Sequence, residues 1–244
     1  VQALANKILR PSRVVVSLKE TTGYACPKVK QFFVPVLKRN RNEKIYEVLS
    51  QELEEAREKM KRQGKDDSTA HIPRTLVFVE QKRNTDVVAA YLSTKGVVAT
   101  SINGDRSQSL REEALKEFRL GNCHVLVATD VCARGIDVHD MEYVINYDLP
   151  QDGTTYIHRI GRTGRLFEGK ATSFVDPSED SQDLCKELVA IVRGAQQEAP
   201  QFLVDTSEGK PVDGFEPNGD AGGATTSGEV PLIKRIAMPV NEDW

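Results

Sequence analysis

His124–Thr129 reads HVLVAT and Glu142–Tyr147 reads EYVINY. Both runs are short and almost continuously apolar, the pattern of strands covered on both faces. Around them, Thr75–Val79 (TLVFV), Val97–Ile102 and Ala171–Val175 (ATSFV) are strand-like. Helical stretches around Thr85–Thr94, Ser107–Arg119 and Ser181–Val192 separate these runs. Strands that alternate with helices predict an α/β fold, a mostly parallel sheet with helices on both faces. Ligands are then expected beyond the carboxyl ends of the strands, in the loops that feed the helices.

Upstream, Gln31–Val36 (QFFVPV) reads as the first strand of this unit, with Pro35 marking an edge or a bulge. A long helix follows, because Ile45, Val48, Leu49, Leu53, Ala56 and Met60 recur at helical spacing. Arg62–Ser68 ends it as a polar loop. Val1–Leu9 reads as the end of a helix stopped by Arg10-Pro11, Val14–Val16 as a short β-prone run, and Thr21–Pro27 as a loop. Residues 1–28 are therefore expected to be the end of a preceding domain and a linker, and 29–200 the main α/β domain. Residues 201–244 form an acidic, Gly-rich tail, expected to be flexible over Asp205–Gly228. Val230–Met238 (VPLIKRIAM) is apolar again, suited to docking on the body or on a partner, and the terminal Trp244 is either incidental or an anchor.

At 244 residues the chain can bury one good-sized α/β core, and 28% charged with 39% apolar residues is ordinary for a globular protein. The net charge of −3 averages unlike parts: Glu198–Trp244 carries −6 and Val1–Gln197 carries +3. Cys26, Cys123, Cys132 and Cys185 include no C-x-x-C pair, which argues against zinc. No apolar run is long enough to span a membrane, no signal peptide is visible, and the first residue is not Met. The expectation is a reduced, intracellular piece of a longer protein.

Three stretches carry chemistry. Tyr156–Arg165 (YIHRIGRTGR) holds His158, Arg159, Arg162 and Arg165 among two glycines. As a helix capped by Asp152 or Thr154 and stopped at Gly164, it would gather these cations at its last turn, where they suit the dipole. Gly161 and Gly164 would let another surface approach, and the arginines would recognise an anion, most simply phosphate. Ile102–Arg111 (INGDRSQSLR) pairs an Asn103-Gly104 turn with a helix capped by Ser107, placing Arg106, Gln108 and Arg111 near exposed N–H groups as a phosphate grip. Val125–Val138 (VLVATDVCARGIDV) puts Thr129 and Asp130 at a strand's carboxyl end. There they cap a short helix, and Thr129 can donate to a phosphate while Gly135 admits a ligand and Asp137 accepts from a ribose hydroxyl. Gly164–Ala171 reads G-x-x-x-x-G-K-A, but Ala171 lacks the hydroxyl of a Walker A loop and the stretch enters a strand rather than a helix. No G-x-G-x-x-G follows a strand, which argues against a dinucleotide-binding dehydrogenase.

TLVFVEQKRNTD, INGDRSQSLREEAL, VLVATDVCARGIDV, VINYDLP and YIHRIGRTGR occur in that order. Together they resemble the ordered signatures of the second RecA-like domain of DEAD-box RNA helicases, over roughly Val29–Val192. Within that family the body and the acidic tail ending in Trp are most similar to Vasa-type germline helicases. The resemblance implies a protein that clamps ATP and RNA between two RecA-like domains and bends and locally separates short duplexes. By resemblance, Arg162 and Arg165 reach the ATP phosphates as arginine fingers, and His158 and Arg159 couple the domains. Gly135 and Asp137 face the nucleotide. Gly104, Asp105, Arg106, Gln108, Arg111 and Thr129 hold the RNA sugar-phosphate backbone without reading sequence. ATP and Mg²⁺ would be held mainly by the first RecA-like domain, which this chain lacks, so the fragment alone is expected to be inactive. A LOTUS-domain partner and a cytoplasmic, perinuclear or germ-granule location follow from the Vasa-type likeness. The alternative is a protein-docking module that recruits the helicase to germ-granule or translation partners. Two features depart from the family pattern: Gln81 stands where Thr is usual, and the helix and loop of Glu43–Ala70 are longer than usual.

Overall fold

The computed structural model describes residues 25–133, 141–164, 167–212 and 215. Along the chain run β1 (Val29–Pro35), α1 (Arg41–Arg62), β2 (Thr75–Phe78), α2 (Lys82–Thr94), β3 (Ala99–Ile102), α3 (Gln108–Leu120) and β4 (Val125–Ala128). Then come α4 (Asp130–Ala133), β5 (Tyr143–Asn146), α5 (Gly153–Ile160), β6 (Gly169–Val175), α6 (Gln182–Gly194) and α7 (Gln201–Glu208). The six strands form one sheet in the order β1-β6-β5-β2-β4-β3, and every pairing is parallel. β1 begins two residues before and ends one residue before the expected Gln31–Val36, and Pro35 ends it at the edge of the described sheet.

The apolar runs have a direct cause in two-sided burial. Leu76 and Phe78 of β2, Leu126 and Ala128 of β4 and Val144 of β5 face one core with Phe118, Tyr156, Leu188 and Leu203. Val77, Val125, Val127 and Ile145 face a second core with Ile45 and Leu49 of α1 and Val88 and Leu92 of α2. Each such side chain contributes roughly 1.5–3 kcal/mol on burial, so alternation is lost because neither face can be polar.

The arginine-rich stretch departs from its expected course. α5 ends at Ile160 with Gly161 as its cap, so only His158 and Arg159 occupy its last turn. Arg162 already lies outside the helix, and Arg165 lies outside the described residues. The chain leaves early because Thr163, buried, donates its hydroxyl to Met141 O at 2.5 Å and bridges to that residue. Gly164 then takes φ +75°, where a Cβ would stand 2.5 Å from Val29 Cγ2. The close approach expected of Gly164 is made by the domain's own β1. The amino end of α5 is held as read: Asp152 accepts from Thr155 N at 2.7 Å, and Glu187 of α6 accepts from Gly153 N at 2.7 Å.

α7 is a second departure. It lies within the segment read as tail, and it covers the start of the stretch expected to be flexible. Leu203 is fully buried in the first core, while Thr206 and Ser207 are buried with their hydroxyls donating to Phe202 O and Val204 O. The opening helix and linker read in 1–24, the apolar 230–238 and Trp244 lie outside the described residues.

Arg41, 1% exposed, ties the start of α1 to two loops at the carboxyl edge of the sheet. It reaches Asp148 after β5 at 2.5 Å and Asp180 after β6 at 3.4 Å, and Asp148 also accepts from Glu80 N after β2 at 2.9 Å. Burial pushes the Asp180 carboxyl above its ordinary range despite the neighbouring Arg41 and Lys38 cations. Removing one partner of such a pair strands a buried charge, so Arg41→Met is expected to cost about 3–5 kcal/mol in urea unfolding. Gly164→Ala is expected to cost clearly more than Gly96→Ala in the same assay. Both glycines have positive φ, but Gly96 has open space where Gly164 meets Val29, so only the second adds a clash to the roughly 1–2 kcal/mol of left-handed strain.

Candidate nucleotide and RNA edge

Parallel strands end on one edge, so the loops after β2, β3, β4 and β5 are neighbours there. The register Ile102↔Ala128 sets Asn103 beside Thr129, and Phe78 pairs with both Ala128 and Asn146. Arg159 of α5 reaches into this edge and is 2% exposed. Its Nε and Nη2 donate to the two carboxylate oxygens of Asp130 at 2.7 Å each. Its Nη1 donates to Asp148 O at 2.6 Å and to Asn146 Oδ1 at 3.3 Å. The guanidinium carbon stands 4.9 Å from the centre of the Phe78 ring. The resemblance implies that Arg159 couples to a neighbouring domain. In the structure its N–H groups are spent inside this one, clamping the ends of β2, β4 and β5. Asp130, which the reading offered as a helix cap, is the carboxylate of that clamp.

Beside the clamp, Thr155, His158 and Arg162 line a shallow niche with Phe78, Asp130 and Ala133. His158 is exposed and Arg162 half-exposed. Thr129 is buried directly after β4, and its carbonyl accepts from Ala133 N at 2.9 Å, which closes the single turn of α4. Gly135 and Asp137 lie outside the described residues.

The second cluster hangs from the end of β3. Asn103 is buried, donates to Thr85 Oγ1 at 2.9 Å and to Asp86 Oδ2 at 3.0 Å, and accepts from Asp105 N at 3.1 Å. This bonding fixes the Gly104-Asp105 turn. Asp86 also accepts from Ser101 Oγ at 2.5 Å and Arg106 Nη2 at 3.0 Å. Burial raises the Asp86 pKa, but the bonds from Ser101, Arg106 and Asn103 outweigh it and hold the carboxyl below its ordinary range. Lys82 pairs with Asp105 at 2.9 Å and lies 3.5 Å from where a Gly104 Cβ would stand. Ser107 caps α3 as read, accepting from Leu110 N at 3.4 Å. Gln108 Oε1 accepts from Arg111 at 3.3 Å, and the buried Arg111 Nε has no acceptor among the described residues. Lys82 and Asp86 went unassigned in the sequence reading. Their signal lies in spacing alone, since Lys82 opens the helix after β2 and Asp86, exposed like it, lies four residues on along the same face. Among the described residues no group of three or more His, Cys, Asp or Glu is placed to hold a metal ion.

Residues 46–167 match the family model described as the helicase conserved C-terminal domain. The ATP-dependent RNA helicase vasa of Drosophila melanogaster is 39% identical over 229 residues, covering 93% of this chain and 31% of that protein. The ATP-dependent RNA helicase DDX4 of Mus musculus is 40% identical over 204 residues, covering 83% of this chain and 26% of that protein. The chain thus spans between a quarter and a third of the length of these curated relatives. Among solved structures, the yeast DEAD-box splicing factor Prp28 superposes with TM-score 0.61 at 26% identity, covering 78% of this chain and 39% of that one. Dbp5 of S. cerevisiae, bound to RNA and ADP BeF3, gives TM-score 0.61 at 26% identity, covering 85% and 49%. With its all-parallel RecA-like sheet, the chain belongs to the helicase conserved C-terminal domain family and is of the DEAD-box kind.

Proposed function

We propose that this domain is the second half of an ATP-dependent RNA helicase, which grips the RNA backbone and supplies an arginine to the phosphates of ATP. The observation that carries this is the shared edge. The Arg159–Asp130 clamp holds the loop at Thr129 against the exit of α5, where His158 and Arg162 line one niche, while the Gly104–Arg111 cluster lies along the same edge. The solved likeness to a Dbp5 bound to RNA and ADP BeF3 supports both ligands for this edge.

In this reading Arg162, with Arg165, donates its planar fork to phosphoryl oxygens as charge develops, and His158 shares the niche of Arg162. Arg159 acts as a positioning residue: it sets the strand ends from which Thr129 reaches its ligand, and Gly135 and Asp137 keep the nucleotide roles that the resemblance implies. Gly104, Asp105, Arg106, Gln108, Arg111 and Thr129 hold RNA phosphates and sugars, which positions the strand without reading bases. ATP supplies the phosphoryl group. By the DEAD-box likeness, Mg²⁺ and the phosphate loop are assigned to a first RecA-like domain in cis. The domain alone is then inactive. The likeness to vasa and DDX4 extends the proposal to a cytoplasmic or germ-granule location and a LOTUS-domain partner.

In the protein that contains both domains, Arg162→Lys keeps the charge but loses the fork. RNA-stimulated ATP hydrolysis is expected to fall by about 10³-fold or more, and near-normal turnover would remove Arg162 from the reaction. Arg106→Ala and Arg111→Ala are each expected to weaken single-stranded RNA binding equally across sequences. Each should lower the slope of log affinity against log salt by about 0.7; an unchanged slope would take that arginine off the RNA.

A further inference from the structure

The longer helix and loop of 43–70 build something of their own. The apolar stripe of α1 buries Ile45 and Leu49, then continues through Leu53, Ala56 and Met60, which are only half-buried. The loop beyond is folded back on itself. Asp66 accepts from Ser68 N at 2.9 Å and Ser68 Oγ at 2.7 Å, and Lys61 pairs with Asp67 at 3.1 Å. Between this segment and the amino-terminal ends of β2, β3 and β4 lies a groove of about 670 Å³. Leu53, Ala70, Ile72 and Val97 give it an apolar lining, and Val98, also in the lining, is 58% exposed.

The charged groups lining the groove are Lys95, Arg57 and Glu54. Lys95 Nζ sits 5.8 Å from the ring centre of Tyr46 and 5.7 Å from that of Tyr91, and no carboxylate pairs with it among the described residues. Arg57 donates to Glu54 at 3.3 Å. His71 and His124 pack edge to face with centroids 4.6 Å apart. With Glu54 taken up by Arg57, an apolar lining beside the Lys95 ammonium suits a ligand that brings apolar side chains and a carboxylate together. The groove opens at the end of the sheet opposite Thr129 and Asn103, so an occupant leaves the nucleotide and RNA edge clear.

We propose that this groove docks an extended segment of a partner protein in which apolar side chains flank an acidic one. The carboxylate meets Lys95, and the apolar side chains cover Leu53, Ile72 and Val98. The built wall and the volume, enough for a few side chains, favour a short linear segment.

The probe is a phage-displayed library of random peptides of roughly twelve residues, selected on the whole chain and counter-selected on a Lys95→Glu, Val98→Asp variant. Both positions are exposed, and an unchanged thermal melt checks that the variant folds. The expected peptides combine apolar residues with Asp or Glu, bind by fluorescence anisotropy, and lose about tenfold or more in affinity on Lys95→Glu. Their binding should survive Arg162→Ala, so that this proposal and the helicase reading stand or fall separately. Selection of no peptide, selection of basic peptides, or binding indifferent to Lys95→Glu would each overturn the proposal. A dimer in sedimentation that Val98→Asp abolishes would give the groove to a second copy of the chain and overturn it too.

Discussion

A buried guanidinium, that of Arg159, governs the working edge of this domain. Parallel strands deliver several chain ends to one side of a sheet, and beyond the last ladder bond nothing in the sheet itself holds them together. Arg159 supplies that hold with two bonds to Asp130 and others to Asp148 O and Asn146, over the face of Phe78. Desolvating such a cation costs several kcal/mol, and the bidentate geometry with further acceptors is what offsets it. Arg41 meets the carboxylate of the same Asp148 from the other side of the sheet. Two buried arginines on helices that pack on opposite faces therefore converge on one loop, and the position of Thr129 and the exit of α5 depend on both.

The strands were legible because burial on both faces leaves no polar alternative, as in VLVA and YVIN. The caps Asp152 and Ser107 were legible because their acceptors act within one turn. The inward course of Arg159 was not, because an arginine repeated every third residue looks the same whether it faces solvent or a carboxylate 29 positions away. Thr163 and its bond to Met141 O hid the early end of α5 in the same way. α7 escaped notice because Thr206 and Ser207 look like loop residues, and only their own backbone acceptors let them be buried. Order of motifs revealed the family; long-range partners decided which arginine points where.

The two ends of the sheet carry different chemistry for a structural reason. The carboxyl edge is built by short loops pinned through buried ion pairs, which suits ligands that demand fixed geometry. The amino edge is walled by a helix that overshoots the core, leaving apolar side chains half-covered beside Lys95. A change of length in α1 therefore remodels the second end without disturbing the first.

Among the described residues the outer strand β1 pairs only with β6, from Val29 against Gly169 to Pro35 against Val175. A ribosome must therefore translate nearly the whole domain before β1 has a neighbour, on the order of ten seconds at about 5–20 residues per second. During that interval QFFVP is an apolar strand without its partner in the sheet. The order of synthesis makes the β1–β6 pairing the last to be sealed in this sheet.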